Sequence, residues 1–188
     1  MKHLILVVIG TLFGLHNLMA QKAMKIYVVR HAEKAANDST TNNPGLSSQG
    51  TKRAIDLMNA LSGKKIDLIY STAYKRTIST AKPLAEKLKI AIKYYNPAEQ
   101  SALAKQLMAN APEKTILIIG HSNTVLPIIE AFGAARPLRE LTEEDYDYIF
   151  EITILGSTRE VKVSRYGNSH HNDRDINFPL NSNAQAYQ

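Results

Sequence analysis

Met24-Lys25-Ile26-Tyr27-Val28-Val29-Arg30-His31-Ala32-Glu33 is the stretch on which the reading of this chain turns. A short apolar run, Met24 to Val29, ends at once in a cation, an imidazole and a carboxylate. Such a run reads as a buried strand, and in open α/β sheets sites form beyond the carboxyl ends of strands. Alone it would read first as an ordinary strand ending in a solvated charged turn. A second copy far downstream overturns that reading: Thr115-Ile116-Leu117-Ile118-Ile119 runs into Gly120-His121-Ser122-Asn123. Two apolar strands that each end in a histidine predict a paired-histidine site rather than two satisfied core histidines.

The rest of the chain falls into place around these strands. Asn37 to Gly45 is polar, rich in asparagine, and reads as a surface loop. Ser47 or Ser48 caps a helix whose inward face is Ala54, Ile55, Leu57, Met58 and Leu61, with Gly63 ending it. Ile66 to Tyr70 is a second strand, running into Ser71 and Thr72. A helix from Tyr74 to Lys89 follows, bent or interrupted at Pro83. Ile90 to Tyr95 is a short strand, Ser101 to Ala109 a helix, and Thr115 to Ile119 the fourth strand. Ser122 to Phe132 is helical, with Pro127 tolerable only near the first turn. Beyond an acidic connection, Glu140 to Asp147, two alternating strands join at Gly156-Ser157 as a hairpin. The expected fold is α/β: a mainly parallel central sheet with helices on both faces and an antiparallel hairpin near the C-terminus.

Three domain segments are expected. Residues 1–20 read as a secretory signal peptide: Lys2 and His3, then an apolar core from Leu4 to Leu15, then Ala20 as a small exit residue. An uncleaved anchor is the alternative, but the core is short of the roughly 20 apolar residues of a bilayer span. Residues 21–167 form the one domain, and 168–188 are a polar tail. Removal of the first 20 of the 188 residues leaves 168, enough for a real hydrophobic core. The expected location is the periplasm or the outside of the cell, with no membrane attachment after cleavage.

The formal charge of +6 is spread along the chain, without the basic stripe and interleaved aromatics that would suggest nucleic acid. A mild positive surplus suits anionic small substrates. There is no cysteine, which excludes disulfides, thiolate nucleophiles and cysteine metal sites. His170 and His171 are adjacent in the tail without spaced partner ligands, so they read as solvated rather than metal-binding.

If the sheet is parallel, three strand ends open onto one edge. The first supplies Arg30, His31 and Glu33; the second Ser71 and Thr72, with Arg76 one helical turn further; the fourth Gly120, His121, Ser122 and Asn123. Arginine's planar fork matches phosphate oxygens, and a neutral imidazole among such cations can attack phosphorus. A carboxylic acid must then protonate the leaving alkoxide.

These residues resemble the signatures of the histidine phosphatase superfamily, the phosphoglycerate mutase-like fold. Arg30-His31-Ala32-Glu33 resembles its Arg-His-Gly hallmark, with Ala32 in the glycine's place. Leu46-Ser47-Ser48-Gln49-Gly50 is similar to the segment opening the first helix, Ser71 to Thr77 to the segment of the second arginine, and Gly120-His121-Ser122 to that of the second histidine. The resemblance implies that His31 is the phospho-accepting nucleophile and that Arg30, Arg76 and His121 complete the phosphate pocket. Asn37 falls where many members have an asparagine that touches phosphate, and Asn123 is a further substrate candidate or a cap for the next helix. The family's usual glutamate context, between the second arginine and second histidine, is not found. Glu33 is the first choice for the acid and Glu99 the second. The expected function is a metal-independent hydrolase of small-molecule phosphomonoesters, with no cofactor. A protein phosphohistidine phosphatase and a non-catalytic phospholigand-binding domain are the alternatives.

Overall fold

The structure, a computed structural model, describes residues 22–35 and 42–169. The signal-peptide segment, Asn37, His170 and His171 lie outside the described residues. Six strands form one sheet: β1 (Met24–Arg30), β2 (Leu68–Ser71), β3 (Ile92–Tyr94), β4 (Thr115–Gly120), β5 (Tyr148–Leu155) and β6 (Thr158–Arg165), in the order β3-β2-β4-β1-β5-β6. The pairs β2–β3, β2–β4 and β1–β4 are parallel, while β1–β5 and β5–β6 are antiparallel. The fold class expected from sequence is the one observed.

Alternation along β1 divides the core. Met24, Ile26 and Val28 point to one face of the sheet, where they meet helix α3 (Gln100–Asn110) and helix α4 (Val125–Ala131). Tyr27 and Val29 point to the other, against helix α1 (Ser48–Leu61) and helix α2 (Lys75–Leu88). β4 lies between β1 and β2 and is buried at every position, which is why it reads as an unbroken apolar run. Each of its fully buried isoleucines contributes about 1.5–3 kcal/mol relative to an exposed one.

Two helices differ from expectation. Pro83 neither ends nor splits α2, which runs continuously from Lys75 to Leu88. α4 starts at Val125 rather than Ser122, because the chain first makes a turn in which the Thr124 and Val125 amides both donate to the His121 carbonyl at 3.0 Å. Pro127 thereby falls in the first turn, where no backbone donor is missed.

The register sets the strand ends level. Arg30 stands beside Gly120, and Ser71 beside Ile119. Because β5 is antiparallel to β1, its beginning reaches the same edge, and so does the acidic connection before it.

Candidate active site

His31 leaves β1 where the sheet ends. Its amide donates to the Gly120 carbonyl at 3.0 Å, which extends the β1–β4 pairing by one residue. The next amide, that of Ala32, donates to the Thr80 hydroxyl at 2.9 Å, and that hydroxyl donates to the Arg76 carbonyl at 2.7 Å. The turn of α2 that carries Arg76 is therefore the turn on which the His31 loop is docked. Gly50 permits a second close approach: a Cβ there would lie 2.2 Å from the Glu33 carbonyl oxygen. The Ser47 hydroxyl caps the same helix by accepting from the Gly50 amide at 3.0 Å.

The hydrogen bonds of both imidazoles set their tautomers. Nδ1 of His31 lies 2.8 Å from the Ala32 carbonyl oxygen, which can only accept, so Nδ1 carries the proton. Nε2 is left with its lone pair. In His121, Nδ1 accepts from an Arg76 Nη2–H at 3.4 Å, so Nε2–H donates to the Thr72 hydroxyl at 2.9 Å. The two rings meet edge to face with centroids 5.3 Å apart. Burial holds His31 in its neutral form, lowering its pKa from 6.5 to about 3; Arg30, Arg76 and His121 push the same way, against the hydrogen bond to Ala32. His121 is lowered to about 4, again by burial first and then by Arg76 and Arg30.

The cations come from different elements. The Arg30 side chain is 3% exposed and donates from Nη1 to the Thr142 carbonyl at 2.5 Å and from Nη2 to Glu143 at 3.2 Å. Its guanidinium lies over the Tyr146 ring, 4.0 Å from the centroid, and that of Arg76 lies 4.6 Å from the Tyr74 centroid. The Nε donors of both arginines are buried with no hydrogen-bond partner among the described residues. Buried charged groups of this kind are costly unless an acceptor reaches them. Arg30, His31, Tyr74, Arg76, His121 and Glu143 border one pocket of about 870 Å3, which Lys34, Asn42 and Gln100 also line. Its lining thus combines two guanidiniums with two imidazoles that burial keeps uncharged.

The family model described as the histidine phosphatase superfamily (branch 1) matches residues 26–96, the part that carries Arg30, His31 and Arg76. Over this segment the chain matches the histidine phosphatase superfamily. Solved structures of the same fold agree across the whole domain. The protein histidine phosphatase SixA, solved with tungstate, superposes with a TM-score of 0.62 at 17% identity, covering 76% of this chain and 97% of that one. The mycobacterial glucosyl-3-phosphoglycerate phosphatase Rv2419c gives 0.61 at 13% identity, covering 79% and 100%. Bacillus stearothermophilus YhfR gives 0.59 at 16%, covering 74% and 96%. A search of curated proteins returns no match.

In this chain Arg30, His31, Arg76, His121 and Asn123 line the pocket together. Asn123 does not cap α4, since Thr124 occupies that position. Contrary to the expectation from sequence, neither Glu33 nor Glu99 lines the pocket. Glu33 turns inward, where its Oε1 accepts from Arg53 Nε at 2.7 Å in a pair that is almost fully buried. Glu99 is exposed, and its Oε1 accepts from the Asn96 side-chain amide at 3.0 Å. Period-2 alternation ends with the strand, so nothing in the order of residues said which way Glu33 would face. Sequence reasoning also missed Arg53, Tyr146 and Glu143. The acidic run from Glu140 to Asp147 was visible, but only the antiparallel entry of β5 brings it to Arg30.

Proposed function

We propose that the protein hydrolyses small-molecule phosphomonoesters through a phosphohistidine on Nε2 of His31. One observation carries this reading: the Nδ1–H of His31 is committed to the Ala32 carbonyl, which leaves a neutral, lone-pair-bearing Nε2 facing a pocket with two arginines. Arg30 and Arg76 would hold the equatorial phosphate oxygens, their unpartnered Nε donors finding acceptors there. His121 would add a further polar contact, oriented by Thr72 and Arg76. Nε2 attacks phosphorus as the ester oxygen leaves, and water then takes the phosphoryl group from His31. Splitting one displacement into two is the gain that covalent catalysis offers.

The named structural relatives include a protein histidine phosphatase and a glucosyl-3-phosphoglycerate phosphatase, and they support the type of reaction rather than one substrate. Export to the periplasm or beyond belongs to the same proposal and is supported by the Lys2 to Ala20 sequence alone.

The test is a panel of phosphomonoesters assayed in the presence of chelator, with wild type beside His31→Ala. Turnover is expected to persist in chelator and to fall at least about 10³-fold in the variant, the scale on which removing a covalent nucleophile acts. An alkaline denaturing quench should trap label on His31. Turnover lost to chelator, or retained by His31→Ala, refutes the mechanism.

A further inference from the structure

We propose that Glu143 is the proton carrier of this reaction, an inference that rests on the phosphatase reading above. Among the described residues it is the one carboxylate that lines the pocket. Its Oε2 lies 3.2 Å from Arg30 Nη2 and 3.7 Å from Lys34 Nζ, while its side chain is 71% exposed. The nucleophile sits at the other extreme: His31 is 4% exposed. In-line displacement puts the leaving oxygen on the side of phosphorus opposite the attacking nitrogen. With His31 at the floor, that side is the mouth, where Glu143 stands.

The carboxylate is delivered by a built turn rather than by a loose charged loop. The Asp145 Oδ2 accepts from the Thr142 amide at 2.6 Å and from the Thr142 hydroxyl at 2.8 Å, closing the turn that contains Glu143. The Thr142 carbonyl fixes that turn to Arg30. A phosphate group held by Arg30 would lie beside the carboxyl that Arg30 also holds. In the first step the His31 Nε2–P bond forms, the P–O ester bond breaks, and the Glu143 carboxyl gives its proton to the departing oxygen. In the second, the Glu143 carboxylate takes a proton from water as the water oxygen bonds to phosphorus and the P–Nε2 bond breaks. The enzyme returns to its starting protonation.

The discriminating substrates are p-nitrophenyl phosphate, whose leaving group needs little help, and phenyl phosphate, whose leaving group needs more. Glu143→Gln is expected to lower kcat/KM for phenyl phosphate about 10²-fold or more, the usual scale of general acid catalysis. For the p-nitrophenyl ester kcat/KM, which reports the first step alone, should stay within a few-fold of wild type while kcat falls with the shared water step, and Glu143→Asp should recover part of both losses. If Glu143 only steadied Arg30, both esters would lose equally through weaker phosphate binding, and that outcome overturns the assignment. So does near-wild-type turnover of both. Labelled His31 in wild type together with a leaving-group-insensitive Glu143→Gln discards Glu143 alone, whereas a wild type without turnover discards the phosphatase reading and this one together.

Discussion

A neutral imidazole deep in a pocket with two guanidiniums has consequences that solution measurements can read. Burial is the main reason His31 and His121 resist protonation, to about 3 and about 4, against an ordinary value of 6.5. Between those limits the unfolded chain binds protons that the folded one refuses. Stability is therefore unaffected by these groups above pH 6.5 and falls as the pH drops below it, by up to about 1.4 kcal/mol per pH unit for His31. Nitrogen-15 spectra at pH 5.5 should show His31 neutral and protonated on Nδ1, and the chemical-denaturation midpoint should fall from pH 6.5 to 4.5. Imidazolium signals from His31 at pH 5.5 would falsify both statements. The position of His31 at a strand end was legible in the chain, since an apolar run stopping at Arg30 announces it. Its tautomer was not, because that depends on where the Ala32 carbonyl turns once the loop is docked on Thr80.

At the level of elements, the site depends on how closely α1 approaches the loop that follows β1. The motif Leu46 to Gly50 marked the start of a helix, and Ser47 is indeed its cap. What the motif did not reveal is that Gly50 is required for space: its missing Cβ is what lets the Glu33 carbonyl come so near. Gly50→Ala must push that loop outward and should cost about 2 kcal/mol, within the usual range for overpacking. His31, two residues away, should move with it. A urea titration alongside steady-state kinetics checks this: the midpoint and kcat should both fall, and an unchanged pair of values would show that the loop has room to spare. α4 teaches a related lesson. Its apolar pattern extends back towards the strand, yet the helix cannot begin until the turn at His121 has been completed.

For the whole molecule, Arg53 is the side chain that joins distant parts. From α1 it donates to Glu33, two residues from His31, to the Tyr166 carbonyl at 3.1 Å and to the Asn168 carbonyl at 3.0 Å, just past the last strand. A buried ion pair is weak evidence for stability as a whole, but removing one member leaves the other charge stranded. Arg53→Met should therefore destabilise the protein by about 3–5 kcal/mol. Adding Glu33→Gln to it should cost less than the two single changes together, because they share one interaction. Denaturation of the three variants tests this, and strictly additive losses would show that the pair is not coupled. Nothing in the order of residues marked Arg53 as buried. It lies beside the apolar stripe of α1 and reads as a solvated helix residue until the C-terminal segment closes over it.

The sheet, its mainly parallel order, its closing hairpin and the histidine at each of two strand ends were all determined by local pattern. Alternation, apolar runs and turn residues act over a few positions and are written in linear order. The arginines fell into the same reading because they stand within a turn of those strand ends. The carboxylates did not. Whether Glu33 or Glu143 faces the pocket depends on partners 20 and 113 residues away, Arg53 for the one and Arg30 for the other. Charged side chains take the direction their partners dictate, and only the antiparallel return of β5 brought an acid to the mouth of the pocket.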